Sequence, residues 1–287
     1  MANRKEGLDW EHCSLFITTL AKFHAISFAM FGGDFDKIVK KYPWLVENMW
    51  MEEKVPEPLK QFFQGSFMQH ANNLKEMGEE EAGSLVGKIC NENFLTQLYS
   101  LCGDKVPMAV IGHGDCWTNN LMFRYDPETN KPIDIKFVDF QQSRTCSRLV
   151  DIHYFLYTSP QMSILNERES DILTLYFDEF TKFSKKLGVN VEGTQRELLS
   201  RENFDKEVEK FRYFGVVAGI MMATIVSADS GDVPDMENMK EEDFTGADGG
   251  NEAMASFMAS MMKGKVMGKI KNIVKNHLPK CAEVKQF

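Results

Sequence analysis

Between positions 108 and 138 a chain that is otherwise helical in its periodicity breaks into short apolar or alternating runs. These are Met108-Ala109-Val110-Ile111, Leu121-Met122-Phe123 and Ile133-Asp134-Ile135-Lys136-Phe137-Val138. Runs of this kind fit a strand, which presents alternate side chains to opposite faces. The turn formers from Tyr125 to Pro132 separate the second run from the third, which predicts a β-hairpin. No other stretch reads convincingly as strand. The expected fold class is therefore α+β, mainly helical, with one small hairpin.

Around this island the spacing is helical. Leu8 to Met30 predicts a helix capped by Asp9, with Phe16, Leu20, His24 and Phe28 on one core-facing side. Breakers and aromatics follow, from Phe31-Gly32-Gly33-Asp34 through Pro43-Trp44 to Pro56 and Pro58. Helices are then expected over Leu59 to Met77 and Gly87 to Leu101. Beyond Leu149 they are expected over Asp151 to Thr158, Ser170 to Leu187, Asn203 to Ala228 and Asn251 to His277. Asp235 to Asn251, acidic and rich in glycine, reads as an exposed loop. The apolar stretch Tyr213 to Ala228 is shorter than the roughly 20 residues that cross a bilayer, so it reads as a buried core helix.

The chemistry sits on the island. Ile111-Gly112-His113-Gly114-Asp115-Cys116-Trp117-Thr118-Asn119-Asn120-Leu121 lies between two predicted strands and contains His-x-Asp-x-x-x-x-Asn. Val138-Asp139-Phe140-Gln141 closes the hairpin's last strand, so two carboxylates and one amide converge at neighbouring strand ends. Phosphoryl transfer needs such a set, because the moving group must be held in line while a metal ion neutralises the charge on its oxygens. Magnesium suits hard oxygen ligands and takes only one or two protein carboxylates beside the nucleotide phosphates. Asp139 is placed as the bridging ligand and Asn120 as the second. Asp115 is then left to orient or deprotonate an acceptor hydroxyl.

His113 to Asn120, Asp139-Phe140-Gln141 and Leu149-Val150-Asp151-Ile152-His153-Tyr154-Phe155 together resemble the ecdysteroid kinase-like group of choline-kinase-like and aminoglycoside-phosphotransferase-like enzymes. The stretch Leu20-Ala21-Lys22-Phe23-His24-Ala25 and the block Phe211 to Asp229 fit the same order, so the resemblance spans most of the chain. It implies a protein-kinase-like C-terminal lobe in which the hairpin carries the catalytic loop. It also implies a single unit over 1–287, with a kinase-like core over about 8–160 and a helical extension over about 161–287. By resemblance Asp115 is the catalytic aspartate and His113 shapes its loop. Asn120 and Asp139 bind magnesium and, through it, ATP, while Asp151 braces the loop from the start of the next helix. The implied acceptor is a hydroxyl of a small, steroid-like or otherwise lipophilic molecule.

Two features separate the pattern from a protein kinase. Gly114 stands where those enzymes use an arginine to read a phosphorylated loop. The interval 140–150 is also too short for the segment that docks a peptide. A complete enzyme of the group carries an N-terminal lobe with a glycine-rich loop and a phosphate-binding lysine. No such pair precedes His113, and the chain alone is expected to bind ATP poorly. Three readings stay open on this footing. The first is a kinase that is truncated, genuinely shortened or completed by a partner, and the second is a catalytically inactive remnant serving as a binding or regulatory module. A metal-dependent phosphohydrolase, which would want more ligands, is a third.

The net charge of -9 argues against a nucleic-acid partner. The six cysteines form no CxxC pair and no apolar leader follows Met1, so reduced thiols and a cytoplasmic location without a membrane span are expected. His24 is expected to be a hydrogen-bonded core histidine, His153 structural, and His12, His70 and His277 surface groups. Cys116 is expected to pack rather than react. Met254, Met258, Met261 and Met262 read as core filler. The lysines from Lys263 to Lys275 read as a solvated face, and Glu79-Glu80-Glu81 as a solvated turn.

Overall fold

The computed structural model describes residues 2–46, 57–89, 97–98, 100–101, 105–190, 194–227 and 264–281. Its helices are α1 Trp10–Phe31, α2 Phe35–Lys41, α3 Glu57–Glu76, α4 Glu80–Ile89, α5 Arg148–Thr158, α6 Met162–Lys186, α7 Thr194–Leu198, α8 Arg201–Ser227 and α9 Gly264–Asn276. Among the described residues, four strands lie between α4 and α5: β1 Val110–Gly112, β2 Leu121–Tyr125, β3 Pro132–Phe137 and β4 Arg144–Cys146. The structure is thus mainly helical with two small antiparallel sheets.

α1 begins where the sequence predicts. The Asp9 side chain accepts from the His12 amide, and Gly32 in the left-handed region ends the helix by donating to Phe28 O. Phe16, Leu20, His24 and Phe28 are all buried, so that stripe is the core side. α1 packs along α6, and α5 packs along α8. α5 is buried along its whole length. Gly215 lets α8 approach it, since a Cβ there would lie 2.7 Å from the side chains of His153 and Tyr157.

α1 and α8 are long and apolar enough to cross a membrane by length and composition. Nearly three quarters of the apolar window of α8 is instead buried inside the protein (72%). Buried charge is paired within this core. Arg148 Nε donates to Glu207 at 3.0 Å while its guanidinium lies between the rings of Phe180 and Phe204. Arg212 binds Glu169 and Glu209 and donates to the Tyr157 hydroxyl.

The expected hairpin forms as β2 and β3, with Leu121 opposite Phe137 and a bulge at Arg124/Tyr125. The first strand-like run is realised as β1, which pairs not with the hairpin but with β4, Val110 opposite Cys146. β4 was not expected, because Arg144-Thr145-Cys146 shows neither alternation nor an apolar run.

Other expectations change. Of the helix read over Gly87 to Leu101, the first residues close α4, which begins at Glu80, residues 97, 98, 100 and 101 are helical, and the rest lies outside the described residues; the breaker-rich segment after Gly33 contains α2, capped by Asp34. His70 and His277 are not surface groups but lie within the core at 1% exposure each. Burial lowers both to a pKa of about 4. Glu79 is not simply solvated, for it pairs with Lys271 and Lys275 and ties α9 to the start of α4. Lys269 leaves the solvated face and donates to Thr158 O at 2.7 Å. The acidic loop from Asp235 to Asn251 and the methionine stretch lie outside the described residues.

Candidate active site

The segment from His113 to Asn120 connects β1 to β2 and closes in a 3-10 turn, Thr118–Asn120. Asn120 therefore stands at the entry of the ribbon. Asp139 stands just past its exit. The pairing of Leu121 with Phe137, extended by Val138 N donating to Asn120 O at 3.1 Å, brings both to the same end.

Asp115 is held at both carboxylate oxygens. The Tyr154 hydroxyl donates to Oδ1 at 2.8 Å and Asn120 Nδ2 donates to Oδ2 at 2.8 Å. Asn120 Nδ2 also donates to the Asp115 backbone carbonyl at 3.0 Å. Burial raises the carboxyl pKa, the bonds from Tyr154 and Asn120 oppose it, and the nearby charge of Asp139 adds to the rise, so the net shift is upward. A group with that environment is a better base than an ordinary aspartate.

Asp139 differs in kind. It is exposed, and its φ of 65° places it in the left-handed region that costs a non-glycine residue energy. Among the described residues its carboxylate accepts no hydrogen bond and forms no ion pair. Asn120 uses its amide nitrogen for both bonds above, which leaves Oδ1 as an acceptor with no bond from that pair. An amide oxygen and an uncommitted carboxylate are hard donors that fit magnesium with most of its shell left to water and phosphate. No group of three or more His, Cys, Asp or Glu side chains among the described residues is arranged to hold a metal by itself.

Behind these residues lies a buried support. His113 donates from Nε2 to Val138 O at 3.0 Å, which leaves Nδ1 to accept from the Asp115 amide at 3.3 Å. The imidazole thus links the loop to the exit of β3, with both nitrogens turned to the backbone. Asp151, at the first turn of α5, accepts from His113 N at 2.7 Å and Gly114 N at 2.8 Å. His24 of α1 donates to the same carboxylate at 3.0 Å and meets the Tyr176 hydroxyl at 2.8 Å through its other nitrogen. Burial alone would raise Asp151, but His24, His113 and the Gly114 amide outweigh it and bring its pKa down to about 2. Gly114 has φ 88°, and a Cβ there would sit 1.9 Å from Gln142 O, so the loop passes β4 with no room for a side chain.

The structure thus gathers Asp115, Asn120 and Asp139 at one end of the ribbon and sets His113 and Asp151 beneath them. His24 and His153 are the buried, bonded histidines that were expected. Cys116 is fully buried, and burial pushes its thiol pKa well up. Tyr154 was passed over by sequence reasoning, although its place three residues after Asp151 puts both on one face of a helix. A surface groove of about 710 Å³ lies elsewhere, between α1, the hairpin turn and α6, and none of these residues lines it.

Residues 1–189 match the model of the ecdysteroid kinase-like family. No curated protein and no solved structure matches the chain.

Proposed function

This chain belongs to the ecdysteroid kinase-like family, and on that premise we propose that it is an ATP- and magnesium-dependent phosphotransferase acting on a hydroxyl of a small molecule. The family's description favours a steroid-like or otherwise lipophilic acceptor. In this reading residues 8–160 form a kinase-like core, residues 161–287 extend it with helices, and the β2–β3 ribbon carries the catalytic loop.

One observation carries the reading. Asp115 and Asn120 are bonded to each other at the ribbon's entry, while Asp139 faces solvent at its exit with its carboxylate uncommitted. Magnesium, when bound, would neutralise charge on the phosphate oxygens. Asp139 and Asn120 Oδ1 would hold it, and Asp115 would orient the acceptor hydroxyl and take its proton. His113 and Asp151 keep the loop in shape without touching substrate.

Thermal melting with Mg-ATP tests the reading. Millimolar Mg-ATP is expected to raise the melting temperature, and Asp139→Asn, which tolerates the same backbone conformation, is expected to abolish the rise. No shift in the wild type, or an equal shift in the variant, overturns it.

A further inference from the structure

We propose that Tyr154 is a positioning residue of the phosphotransfer site, fixing the Asp115 carboxylate so that it faces the acceptor hydroxyl. This rests on the phosphotransferase reading and adds to it a residue from outside the loop.

A carboxylate bonded at one oxygen can still rotate about its own axis, whereas bonds at both oxygens from different directions fix its plane. Asp115 is bonded twice, and the two donors have different origins. Asn120 belongs to the same loop and moves with it. Tyr154 belongs to α5, three residues beyond Asp151, and the two lie on one helical face. One turn of α5 therefore grips the loop at two points. Asp151 takes the amides of His113 and Gly114, and Tyr154 takes the side chain of Asp115.

The phenol is well placed to act as a fixed post. Tyr154 is only 6% exposed, and its ring stacks on Phe214 of α8 with centroids 6.5 Å apart. The Thr158 hydroxyl donates to the Tyr154 carbonyl at 2.7 Å, which closes the next turn around it. Burial and the Asp115 charge push the phenol pKa well above its ordinary value, so it keeps its proton and remains a donor. In the transfer, the acceptor O–H bond breaks and the proton passes to Asp115. The acceptor oxygen bonds to the γ-phosphorus as the bond to ADP breaks. Each carboxylate oxygen has a second lone pair, so the bond from Tyr154 does not block that proton.

The test compares wild type, Tyr154→Phe and Asp115→Asn for phosphoryl transfer from Mg-ATP to a panel of sterols, sugars and amino alcohols. With an acceptor the wild type uses, Tyr154→Phe is expected to lower kcat by about 10–100-fold with KM for ATP within about twofold. The acid limb of its kcat/KM profile is expected to move to higher pH, because a bond favouring the carboxylate is gone. Should Tyr154→Phe melt much lower than wild type, 3-fluorotyrosine at this position replaces it. A stronger donor there moves the acid limb to lower pH. An unchanged kcat and acid limb, in a protein whose transfer still depends on Asp115, overturns the role of Tyr154 and leaves the phosphotransferase reading standing. A wild type that phosphorylates none of the panel overturns that reading and this proposal with it.

Discussion

His24 Nε2 and Asp151 Oδ2 meet 3.0 Å apart in the core, with both side chains shut away from solvent. The bond joins the first helix to the helix that braces the loop, so residues far apart in sequence set the shape of one short segment. Together with His113 and the Gly114 amide, His24 outweighs burial and brings the Asp151 carboxyl down to about 2 against an ordinary 3.8.

That difference has a direction in pH. A carboxylate whose pKa is lower in the folded state contributes stability that is complete above about pH 4 and is lost as pH falls towards 2. The contribution is roughly 2–3 kcal/mol. Urea titrations from pH 7 to pH 2 are expected to show this loss, and Asp151→Asn, less stable at neutral pH, is expected to lose little more below pH 4. A parallel decline in the variant would assign the acid sensitivity to other groups.

A second window lies higher. Burial lowers His70 and His153 to about 4, so the unfolded chain takes up protons near pH 6.5 while the folded protein does not. Stability is then complete above about pH 6.5 and falls as pH drops towards 4. His70→Phe keeps a ring of similar size and removes one of these groups. It is expected to flatten the midpoint-versus-pH curve between pH 6.5 and 4, and an unaltered slope would contradict the burial of His70.

Gly114→Ala places a methyl group against the carbonyl of Gln142 in a backbone region that side chains avoid. A loss of about 3 kcal/mol or more is expected, with displacement of the loop. Gly188 also has a positive φ but no heavy atom within 4 Å of an added Cβ, so Gly188→Ala is the control and is expected to cost about 1 kcal/mol. Equal melting temperatures for the two would remove steric exclusion as the reason for glycine at 114.

Glu207→Gln removes the anion beside a fully buried Arg148. Leaving that charge uncompensated is expected to cost about 3–5 kcal/mol, whereas the apolar pair Arg148→Met with Glu207→Leu is expected to cost less than the single change. Denaturant midpoints of the three proteins decide this. A double variant that is weaker than Glu207→Gln would make the pair a net stabiliser.

Much of this arrangement was legible in the sequence because its signals were local. Asp9 announces the start of α1, the 125–132 turn announces the ribbon, and His113, Asp115, Asn120 and Asp139 flank strand ends that alternation reveals. What stayed hidden was set by tertiary packing. β4 is three residues long and buried on every one, so it offers no period to detect. Polar identity suggested the surface for His70 and His277, but the space between helices claimed them instead. Glu79 looked like part of a charged turn until α9 brought Lys271 and Lys275 to it. Tyr154 carried a signal, its offset from Asp151, that becomes meaningful once the helix is known to face the loop.

The ribbon of β2 and β3 acts as a ruler between the two halves of the site. Asn120 and Asp139 have no direct bond to each other in the described structure, and the ladder from Leu121–Phe137 to Val138–Asn120 sets their spacing. A slip of one residue in that ladder would carry Asp139 about 3.3 Å along the strand and turn its side chain to the opposite face. Alterations at the distant tip that preserve the ladder should therefore be harmless, while a deletion within either strand should uncouple the two oxygen donors even with every site residue still in place.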